Sequence, residues 1–474
     1  MASRDKSNLL ATLPPEWPDD LLPAIQAAVR VSGRKVIILD DDPTGTQTVH
    51  DVAVLTEWPV PALAAELAQE APAFYLLTNS RSLPPAAAAA RTKEIGQNLR
   101  AAATAAEAAA ETASVDIAVV SRSDSTLRGH FPGEVDALVA ALGSDFDATL
   151  IVPFFLEGGR YTIDDVHYVA EGDMLVPASE TQFAQDAAFG FRASNLRDWV
   201  EEKTDGAVQA KDVASISLTT LRHGGPDAVA RALLALPKGS VCVVNAASYR
   251  DVEVFVLGLL AAEASGRRYM YRTAASFVRV RAGIPPRPLL SACELNPGSG
   301  GILFVVGSYV QKSTDQLAAL LRTPGVVAIE LSARALLDES NAAAEIARAA
   351  ATASDALAGG ATVVVYTSRE LITDADAQRS LAIGNAISSG LVGVVQQLTA
   401  RPAVLVAKGG ITSSDVATTG LGMCRALVLG QALPGVPVWR AGAESRFPGL
   451  TYVVFPGNVG ASDALARLAQ SLRT

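Results

Sequence analysis

The fold of this chain is decided by one short stretch, KVIILDDDPTGTQ, at residues 35–47. Four consecutive aliphatic residues, Val36 to Leu39, run into three aspartates, Asp40 to Asp42, and then into a Pro-Thr-Gly turn. A short apolar run that ends in turn residues is typical of a strand buried on both faces of a parallel sheet. Ligands bind outside the carboxyl ends of such strands, so we expect the aspartates to lie at a binding site.

The same alternation of short aliphatic runs with Ala-rich stretches of helical period continues along the chain. Further strands are predicted at 52–55, 74–78, 115–120, 149–152, 302–306, 326–331, 362–366, 403–407 and 452–455, and helices at 86–112 and 132–142. This pattern predicts an α/β protein of two domains, each a largely parallel sheet flanked by helices. We expect the active site in the cleft between them.

The length of 474 residues also predicts two domains, because one hydrophobic core rarely serves more than about 250 to 300 residues. A stretch rich in Arg, Gly and Pro, residues 266–301, marks the boundary. We predict an N-terminal arm at 1–34, a first domain at 35–284, a linker at 285–301 that could act as a hinge, and a second domain at 302–474.

The composition excludes several classes of function. The chain is 49% hydrophobic and 19% charged, as expected for a packed globular protein. A net charge of −10 without a basic tract disfavours nucleic acid as a partner. Three widely spaced cysteines and the lack of eighteen consecutive apolar residues predict a cytoplasmic protein that does not span a membrane.

The three adjacent aspartates have two competing functional interpretations beside the plainer one of a solvated turn. Neighbouring carboxylates repel one another unless a cation or a substrate hydroxyl contacts them. Asp40, Asp42 and Thr44 are similar to the first motif of haloacid-dehalogenase-type phosphatases, and residues 76–80 to their second. In that interpretation Asp40 is the nucleophile, Asp42 the general acid/base, and Mg²⁺ holds the phosphate.

Arginines follow three of the predicted strands in the first half. They are Arg81, Arg128 and Arg160, and Arg128 lies in a polar stretch with Asp124 and Ser125. A guanidinium group binds a carboxylate in two-pronged fashion, while Asp and Ser side chains bond to sugar hydroxyls. If these loops converge, they form a pocket for a small hydroxylated acid. The alternative is a helix cap with arginines in structural ion pairs.

Glycine-rich turns follow three strands in the second half. They contain Gly307-Ser308, the run Gly409-Gly410-Ile411-Thr412, and Gly457. Backbone N–H groups in such turns bind phosphate, and Thr412 adds a hydroxyl donor. Together they favour a nucleotide site, and Asp415 is a candidate ligand for Mg²⁺ or a helix cap.

These motifs together resemble those of the four-carbon acid sugar kinases, the group of threonate, erythronate and 3-oxo-tetronate kinases. The matching segments are 40–45, 78–81, 124–129, 307–308, 409–412 and 456–458, in order, within about residues 35–463. The resemblance implies a first domain that binds the sugar acid and a second that binds ATP. It implies transfer of the γ-phosphoryl group to the C4 hydroxyl of a four-carbon acid.

The resemblance also implies residue roles. It places Asp41, Asp42, Arg81, Asp124 and Arg128 at the substrate and Ser308, Gly409, Gly410, Ile411, Thr412 and Gly457 at ATP. To the substrate site we add Thr44, Ser125 and Arg160.

The predicted reaction needs a proton acceptor, which is Asp41, Asp42 or Asp124, and Mg²⁺ beside the phosphates. A homodimer is the default expectation for a cytoplasmic enzyme. The phosphatase and a sugar-acid-binding protein without catalysis stay open as alternatives.

Overall fold

A computed structural model describes residues 3–110, 115–143, 145–296, 298, 300–369, 372 and 377–473, with backbone alone for 109–110 and 377–382. The chain forms two compact units. The first contains the residues up to Val52 together with Glu57–Pro286, and the second contains Ala53–Thr56 together with the residues from Arg287 onward. The change from one unit to the other at 286–287 falls within the segment predicted as a linker.

The strands are β1 (Arg4–Asp5), β2 (Lys35–Asp40), β3 (Val52–Leu55), β4 (Ala73–Leu77), β5 (Ile117–Arg122), β6 (Ala148–Val152), β7 (Arg160–Ile163), β8 (Val166–Glu171), β9 (Met174–Pro177), β10 (Ala214–Ile216), β11 (Ser240–Val244), β12 (Tyr269–Thr273), β13 (Ile302–Val306), β14 (Val326–Leu331), β15 (Thr362–Thr367), β16 (Val404–Lys408), β17 (Arg425–Leu433), β18 (Val436–Ala441) and β19 (Thr451–Phe455).

The helices are α1 (Lys6–Ala11), α2 (Leu22–Ser32), α3 (Val60–Leu67), α4 (Pro85–Ala110), α5 (Gly133–Leu142), α6 (Leu196–Lys203), α7 (Leu218–Leu234), α8 (Tyr249–Ala264), α9 (Ala275–Arg281), α10 (Ala292–Leu295), α11 (Gln311–Leu321), α12 (Ala333–Leu336), α13 (Ala342–Ala358), α14 (Ala377–Gln397), α15 (Gly410–Asp415) and α16 (Ala464–Ser471).

The first unit is built on parallel strands in the order β10-β11-β6-β12-β5-β2-β4. All six residues of β2 are buried, as its unbroken aliphatic run predicts. Asp40 at the end of β2 lies in register with Leu77 of β4 and Arg122 of β5. The carboxyl ends of these three strands therefore meet at one edge of the sheet. A small antiparallel sheet, β1-β9-β8-β7, completes the unit.

The second unit has strands in the order β3-β17-β18-β19-β16-β13-β15-β14. From β19 to β14 neighbouring strands are parallel, whereas β17, β18 and β19 are antiparallel. Val404 and Phe304 from its central strands are fully buried in the core, where Leu465 of α16 also packs. The mostly parallel strands flanked by helices in each unit confirm the predicted α/β class, and the placement of the active site in a cleft stays a prediction.

Two regions differ from the interpretation of the sequence. The stretch 266–301 marks the boundary in the sequence, with the linker predicted at 285–301; its first part, inside the predicted first domain, forms β12 and α9, which are buried in the first unit and for which no element was predicted. Its aliphatic content is low because β12 carries Tyr, Met and Arg instead of Val and Ile. The residues expected to form an arm include α2, where Gln26 Nε2 donates to the Gly283 carbonyl oxygen at 3.0 Å. Among the described helices, none combines the length and apolar character that a membrane crossing requires.

Candidate functional site

The aspartate triplet is shaped by the turn that ends β2. Asp40 is the last strand residue, and a short 3₁₀ turn, Pro43–Thr46, follows Asp42. The Thr44 N–H donates to Asp42 Oδ1 at 2.8 Å, which caps this turn. A side chain at Gly45 would overlap the Asp40 carboxylate, so the turn requires glycine there. We call Asp40, Asp41, Asp42 and Asp124, with the arginines around them, the acidic cluster.

Asp40 is buried and has a structural partner. Arg122 Nη1 donates to Asp40 Oδ1 at 3.0 Å, and both side chains are less than 5% exposed. Burial raises the pKa of Asp40 to about 7, against the opposing charge of Arg122. A carboxylate held in this way is inaccessible to a phosphate group, so the geometry does not support Asp40 as a phosphatase nucleophile.

Arg81 connects the other three aspartates. It forms an ion pair with Asp42, and its Nη1 lies 3.5 Å from Asp124 Oδ1 and 3.9 Å from Asp41 Oδ1. The exposed fraction of the side chain is 15% for Asp42 and 13% for Asp124 but 3% for Asp41. Arg81 was predicted to hold a substrate carboxylate, but here its guanidinium group is occupied by protein carboxylates.

The three aspartates around Arg81 differ in acidity. Burial raises the pKa of Asp41, although Arg81 and Arg122 oppose it. Burial would also raise the pKa of Asp42, but the charge of Arg81 and the hydrogen bonds from Thr44 outweigh it and hold the pKa below its usual range. Asp124 behaves like Asp42, because Arg128 and Arg81 outweigh its burial. Asp42 and Asp124 are therefore ionised throughout the neutral range.

Arg128 and Arg160 share one aromatic neighbour. The guanidinium carbons of Arg128 and Arg160 lie 5.1 and 5.6 Å from the centre of the Phe183 ring. Arg128 Nε donates to Asp124 Oδ2 at 2.7 Å, and its Nη1 lies 3.3 Å from Asp186 Oδ2. Arg160 Nη1 donates to the Gly158 carbonyl oxygen, while its buried Nε has no hydrogen-bond partner in the part of the chain that is described.

Arg160 was expected at the carboxyl end of a parallel strand, and this was wrong. It is the first residue of β7 in the small antiparallel sheet, because the chain after β6 turns back at Gly158 and Gly159 to begin a meander. Arg160 still lies near Arg128, because both guanidinium groups contact the ring of Phe183. Burial lowers the pKa of Arg160, and the charge of Asp124 opposes this shift.

Thr44 and Ser125 lie in the loops of the acidic cluster. Thr44 contributes its backbone N–H to Asp42, and its side chain is partly exposed. Ser125 is buried, and its carbonyl oxygen lies 2.8 Å from His167 Nε2. Burial lowers the pKa of His167 to about 4, so its ring is neutral and serves as a structural hydrogen-bonding group.

Two buried arginines of the acidic cluster are not among the predicted site residues. Arg122 ends β5, and Arg272 in β12 donates from Nη2 to the Arg128 carbonyl oxygen at 2.9 Å. Both are at most 5% exposed. The available signal was an arginine that directly follows a strand interior, as in Val119-Val120-Ser121-Arg122 and Met270-Tyr271-Arg272.

The glycine-rich turns of the second unit border a cavity of about 390 Å³, which we call the nucleotide cavity. Of the residues predicted to bind the nucleotide, Ser308, Gly409, Gly410, Ile411 and Thr412 line it. Gly457 does not line the cavity, but a side chain there would lie 3.5 Å from Ser308 Oγ. The structure thus brings these turns together at the carboxyl ends of β13, β16 and β19.

Gly409 has a backbone that requires glycine. Its φ is +112° and its ψ is 146°, a region that other residues rarely adopt. A Cβ atom there would also lie 3.0 Å from the Ser308 Cβ. Close approach of the two turns explains why neither carries a bulky residue at this point. Ile411 is 60% exposed at the cavity rim, which gives a ligand an apolar surface.

One wall of the nucleotide cavity contains none of the predicted site residues. Gly384, Ser388 and Leu391 of α14 line it, at the i, i+4, i+7 spacing of one helix face. The i, i+4, i+7 spacing is visible in the sequence. Because α14 carries small residues on several faces, this face does not stand out as a binding surface.

Asp415, the candidate Mg²⁺ ligand, ends α15 and does not cap its N-terminus. Its Oδ2 accepts from Ser388 Oγ at 2.6 Å. Within the described ranges, no group of three His, Cys, Asp or Glu side chains is arranged to hold a metal ion.

Comparison with known proteins identifies the family. Residues 36–281 match the model of a sugar-binding N-terminal domain, and residues 303–465 match that of a nucleotide-binding C-terminal domain. A 3-oxo-tetronate kinase of Methylobacterium radiotolerans is 27% identical over 403 residues, covering 84% of this chain and 88% of that protein. A D-threonate kinase of Bordetella bronchiseptica is 28% identical over 458 residues, covering 94% and 98%.

The chain belongs to the four-carbon acid sugar kinase family. It is a kinase that transfers a phosphoryl group to a hydroxyl acceptor, and the resemblance predicted from its motifs is confirmed. A D-erythronate kinase of Heliobacterium modesticaldum is 28% identical over half of each chain. The fold of the kinase matches two crystal structures. For a protein from Salmonella typhimurium LT2 the TM-score is 0.65 at 18% identity, covering 91% of this chain and 98% of that protein. For a protein from Haemophilus influenzae the TM-score is 0.59 at 18% identity, covering 92% of this chain and 100% of that protein.

Proposed function

We propose that this kinase uses ATP to phosphorylate the terminal C4 hydroxyl of a four-carbon sugar acid. The names of its relatives, which are threonate, erythronate and 3-oxo-tetronate kinases, support this substrate class. The observation that carries the proposal is the acidic cluster, where partly buried carboxylates and guanidinium groups lie side by side in the sugar-binding unit. A hydroxylated acid needs both, because its hydroxyls donate to carboxylates and its own carboxylate pairs with arginine.

We assign the proton acceptor to Asp42. Exposure supports this choice, since the Asp42 side chain is 15% exposed and that of Asp41 is 3% exposed. Asp42 is ionised at neutral pH and lies beside Arg81, so it can accept a hydrogen bond from the attacking hydroxyl. Asp124 is similarly exposed, and we assign it to the orientation of Arg128, because one of its oxygens accepts from both Arg128 and Thr126.

Arg128 and Arg160 are proposed to hold the substrate carboxylate. The Nε of Arg160 has no hydrogen-bond partner within the described ranges. Arg128 is held at its Nε by Asp124, whereas its Nη1 contacts the partly exposed Asp186 at the longer distance of 3.3 Å. Two guanidinium groups beside one aromatic ring form a planar, rigid anion site. The proposed substrate thus extends from Arg128 and Arg160 at its acid end to Asp42 at its terminal hydroxyl.

The second unit is proposed to hold the triphosphate. Backbone N–H groups of the turns at Ser308, Gly409 and Gly410 supply donors for phosphate oxygens. Mg²⁺ would add positive charge when bound to those phosphates. Asp415 is a single carboxylate paired with Ser388, which does not form a protein metal site by itself, so no step of the reaction is assigned to the metal.

The direct test measures ADP release from ATP with threonate, erythronate or 3-oxo-tetronate as acceptor. We expect turnover with at least one of these acids. Release of inorganic phosphate from phosphorylated acids without ATP would instead indicate a phosphatase. A rise in melting temperature with a sugar acid, but no ADP release with any acid, would indicate a binding protein.

The variant Asp42→Asn tests the assignment of the proton acceptor. Loss of the acceptor should lower kcat about a hundredfold or more, while ADP affinity stays unchanged. Asp145→Asn is the matched control, because Asp145 is a carboxylate of the same unit whose side chain is 90% exposed. Full turnover in Asp42→Asn would assign the acceptor to Asp124 or Asp41.

A further inference from the structure

Lys408 is a fully buried lysine at the carboxyl end of β16. Its side chain is 0% exposed. The ammonium group donates to the carbonyl oxygens of Pro456 and Gly457, at 2.5 and 3.0 Å. It also lies 4.4 Å from the centre of the Phe455 ring. Lys408 therefore fixes the turn that follows β19 through the hydrogen bonds of its buried ammonium group.

Hydrogen bonds connect this turn to the wall of the nucleotide cavity. Ser313 Oγ lies 3.2 Å from the Gly457 carbonyl oxygen and 3.0 Å from Ser308 Oγ. Ser308 lines the cavity, as does Gly409, the next residue after Lys408. The Lys408 ammonium group is thus connected to Ser308, at the proposed phosphate site, through the Gly457 carbonyl oxygen and Ser313 Oγ.

The positive charge of Lys408 is not balanced by the protein residues that the structure describes. Its two hydrogen-bond acceptors are neutral carbonyl groups, and no ion pair joins it to a described carboxylate. The charged group that acts on it is Lys312 of α11, whose ammonium donates to the Asn458 carbonyl oxygen at 3.3 Å. Burial, and then Lys312, lower the pKa of Lys408 to about 7.

A buried positive charge without a counter-charge destabilises the folded state. An anion that binds nearby offsets this cost, so its binding is favoured. The nucleotide of a kinase carries such an anion. We propose that Lys408 is a positioning residue that fixes the Pro456–Gly457 turn and supplies buried positive charge to the nucleotide phosphates. This inference rests on the proposed ATP-dependent reaction, but it concerns nucleotide binding and not the sugar acid.

The proposal predicts the direction of a pH effect. An anion favours the protonated form of Lys408, so nucleotide binding is strongest where that form already exists, below pH 7. Above pH 7 binding must also drive proton uptake, and affinity falls. Replacement of Lys408 by methionine keeps the packing volume but removes both the donors and the charge. The comparison of variants at each pH cancels the titration of the nucleotide itself.

The experiment measures ADP affinity by calorimetry at pH 6 and pH 8.5. Lys408→Met should weaken ADP binding about tenfold or more at pH 6 and distinctly less at pH 8.5. Lys238→Met, a change at a lysine whose side chain is 62% exposed, should bind ADP like the wild type. Equal affinity of Lys408→Met and the wild type at pH 6, or an equal loss at both pH values, would overturn the proposal.

A second variant keeps the test decisive if Lys408→Met does not fold. Lys312→Met retains Lys408 but removes the neighbouring charge, so the decline of ADP affinity should move to higher pH. An unchanged pH dependence in Lys312→Met would also overturn the inference. Because ADP binding is measured without an acceptor, failure to phosphorylate any sugar acid would contradict the proposed substrate and leave this result standing.

Discussion

Asp40 and Asp42 are expected to respond differently to pH when each is replaced by asparagine. Asp40 is buried with Arg122, and its pKa is raised to about 7, whereas the pKa of Asp42 is held below its usual range by Arg81. A carboxyl group with a raised native pKa keeps its proton in the folded state after the unfolded chain has lost it. The stability of the wild type therefore falls as pH rises from the unfolded pKa, about 3.9, to about 7.

The size of this effect follows from the linkage relation. Each pH unit in that window changes the free energy of unfolding by about 1.4 kcal/mol, so Asp40 accounts for about 2 to 3 kcal/mol between pH 5 and pH 8. Asp40→Asn removes this dependence. Its stability relative to the wild type should improve by that amount at pH 8 compared with pH 5, although at both pH values Arg122 lacks its ionic partner.

Asp42→Asn is the matched control, because it makes the same chemical change two residues away. The Asp42 carboxyl is ionised in both folded and unfolded chains between pH 5 and pH 8, so the stability difference from the wild type should be constant there. The assay is urea unfolding at both pH values, followed by tryptophan fluorescence, to which the buried Trp199 of the same unit contributes. A constant difference for Asp40→Asn would refute the reasoning, since it would mean that Arg122 fully offsets the burial of Asp40.

Two further predictions concern the binding loops. Gly409→Ala forces a side chain into a backbone region that costs about 1 to 3 kcal/mol, and it places a Cβ against Ser308. ADP affinity, measured by calorimetry, should therefore fall about tenfold, while the affinity for the sugar acid stays unchanged. Asp186→Asn keeps the hydrogen bonds that the Asp186 side chain accepts from the backbone but removes its negative charge from Arg128. If Asp186 competes with the substrate carboxylate for Arg128, the KM for the sugar acid should fall a few-fold at constant kcat. An increased KM would contradict this competition.

Most of the parallel strands were predictable from the sequence, because burial on both faces favours an unbroken aliphatic run, but the parallel strands β10, β11 and β12 were not predicted. The predicted ranges 302–306 and 326–331 coincide with β13 and β14. The antiparallel strands β17 and β18 were not predicted either. β17 carries an apolar run, Ala426–Leu429, that Gly430 interrupts, β18 contains Pro437 and Arg440, and β12 is buried but contains two tyrosines and an arginine in place of aliphatic residues.

The candidate site was predicted in its membership more than in its pairing. The rule that ligands bind at carboxyl ends of strands places the aspartate triplet and Arg81 at one edge of the sheet, where the structure also has them. It could not tell that Arg81 is bound by three aspartates or that Asp40 is buried with Arg122, because these pairs join residues about 40 to 80 positions apart. Lys408 was visible in the sequence, but its burial depends on the packing of β16 against β19.

The pairing also explains how an acidic protein can bind an acid. The acidic cluster contains arginines that stay charged at neutral pH, namely Arg81, Arg122, Arg128, Arg160 and Arg272. Glu134 of α5 is buried beside the cluster, where it is hydrogen-bonded to Ser80. Burial raises the pKa of both Asp40 and Glu134 to about 7, so each carries only part of a negative charge at neutral pH. The charges of the cluster are therefore close to balanced despite the aspartate triplet and a net charge of −10 for the chain. In this arrangement the aspartates orient the arginines and accept from hydroxyl groups, and an incoming carboxylate meets little repulsion.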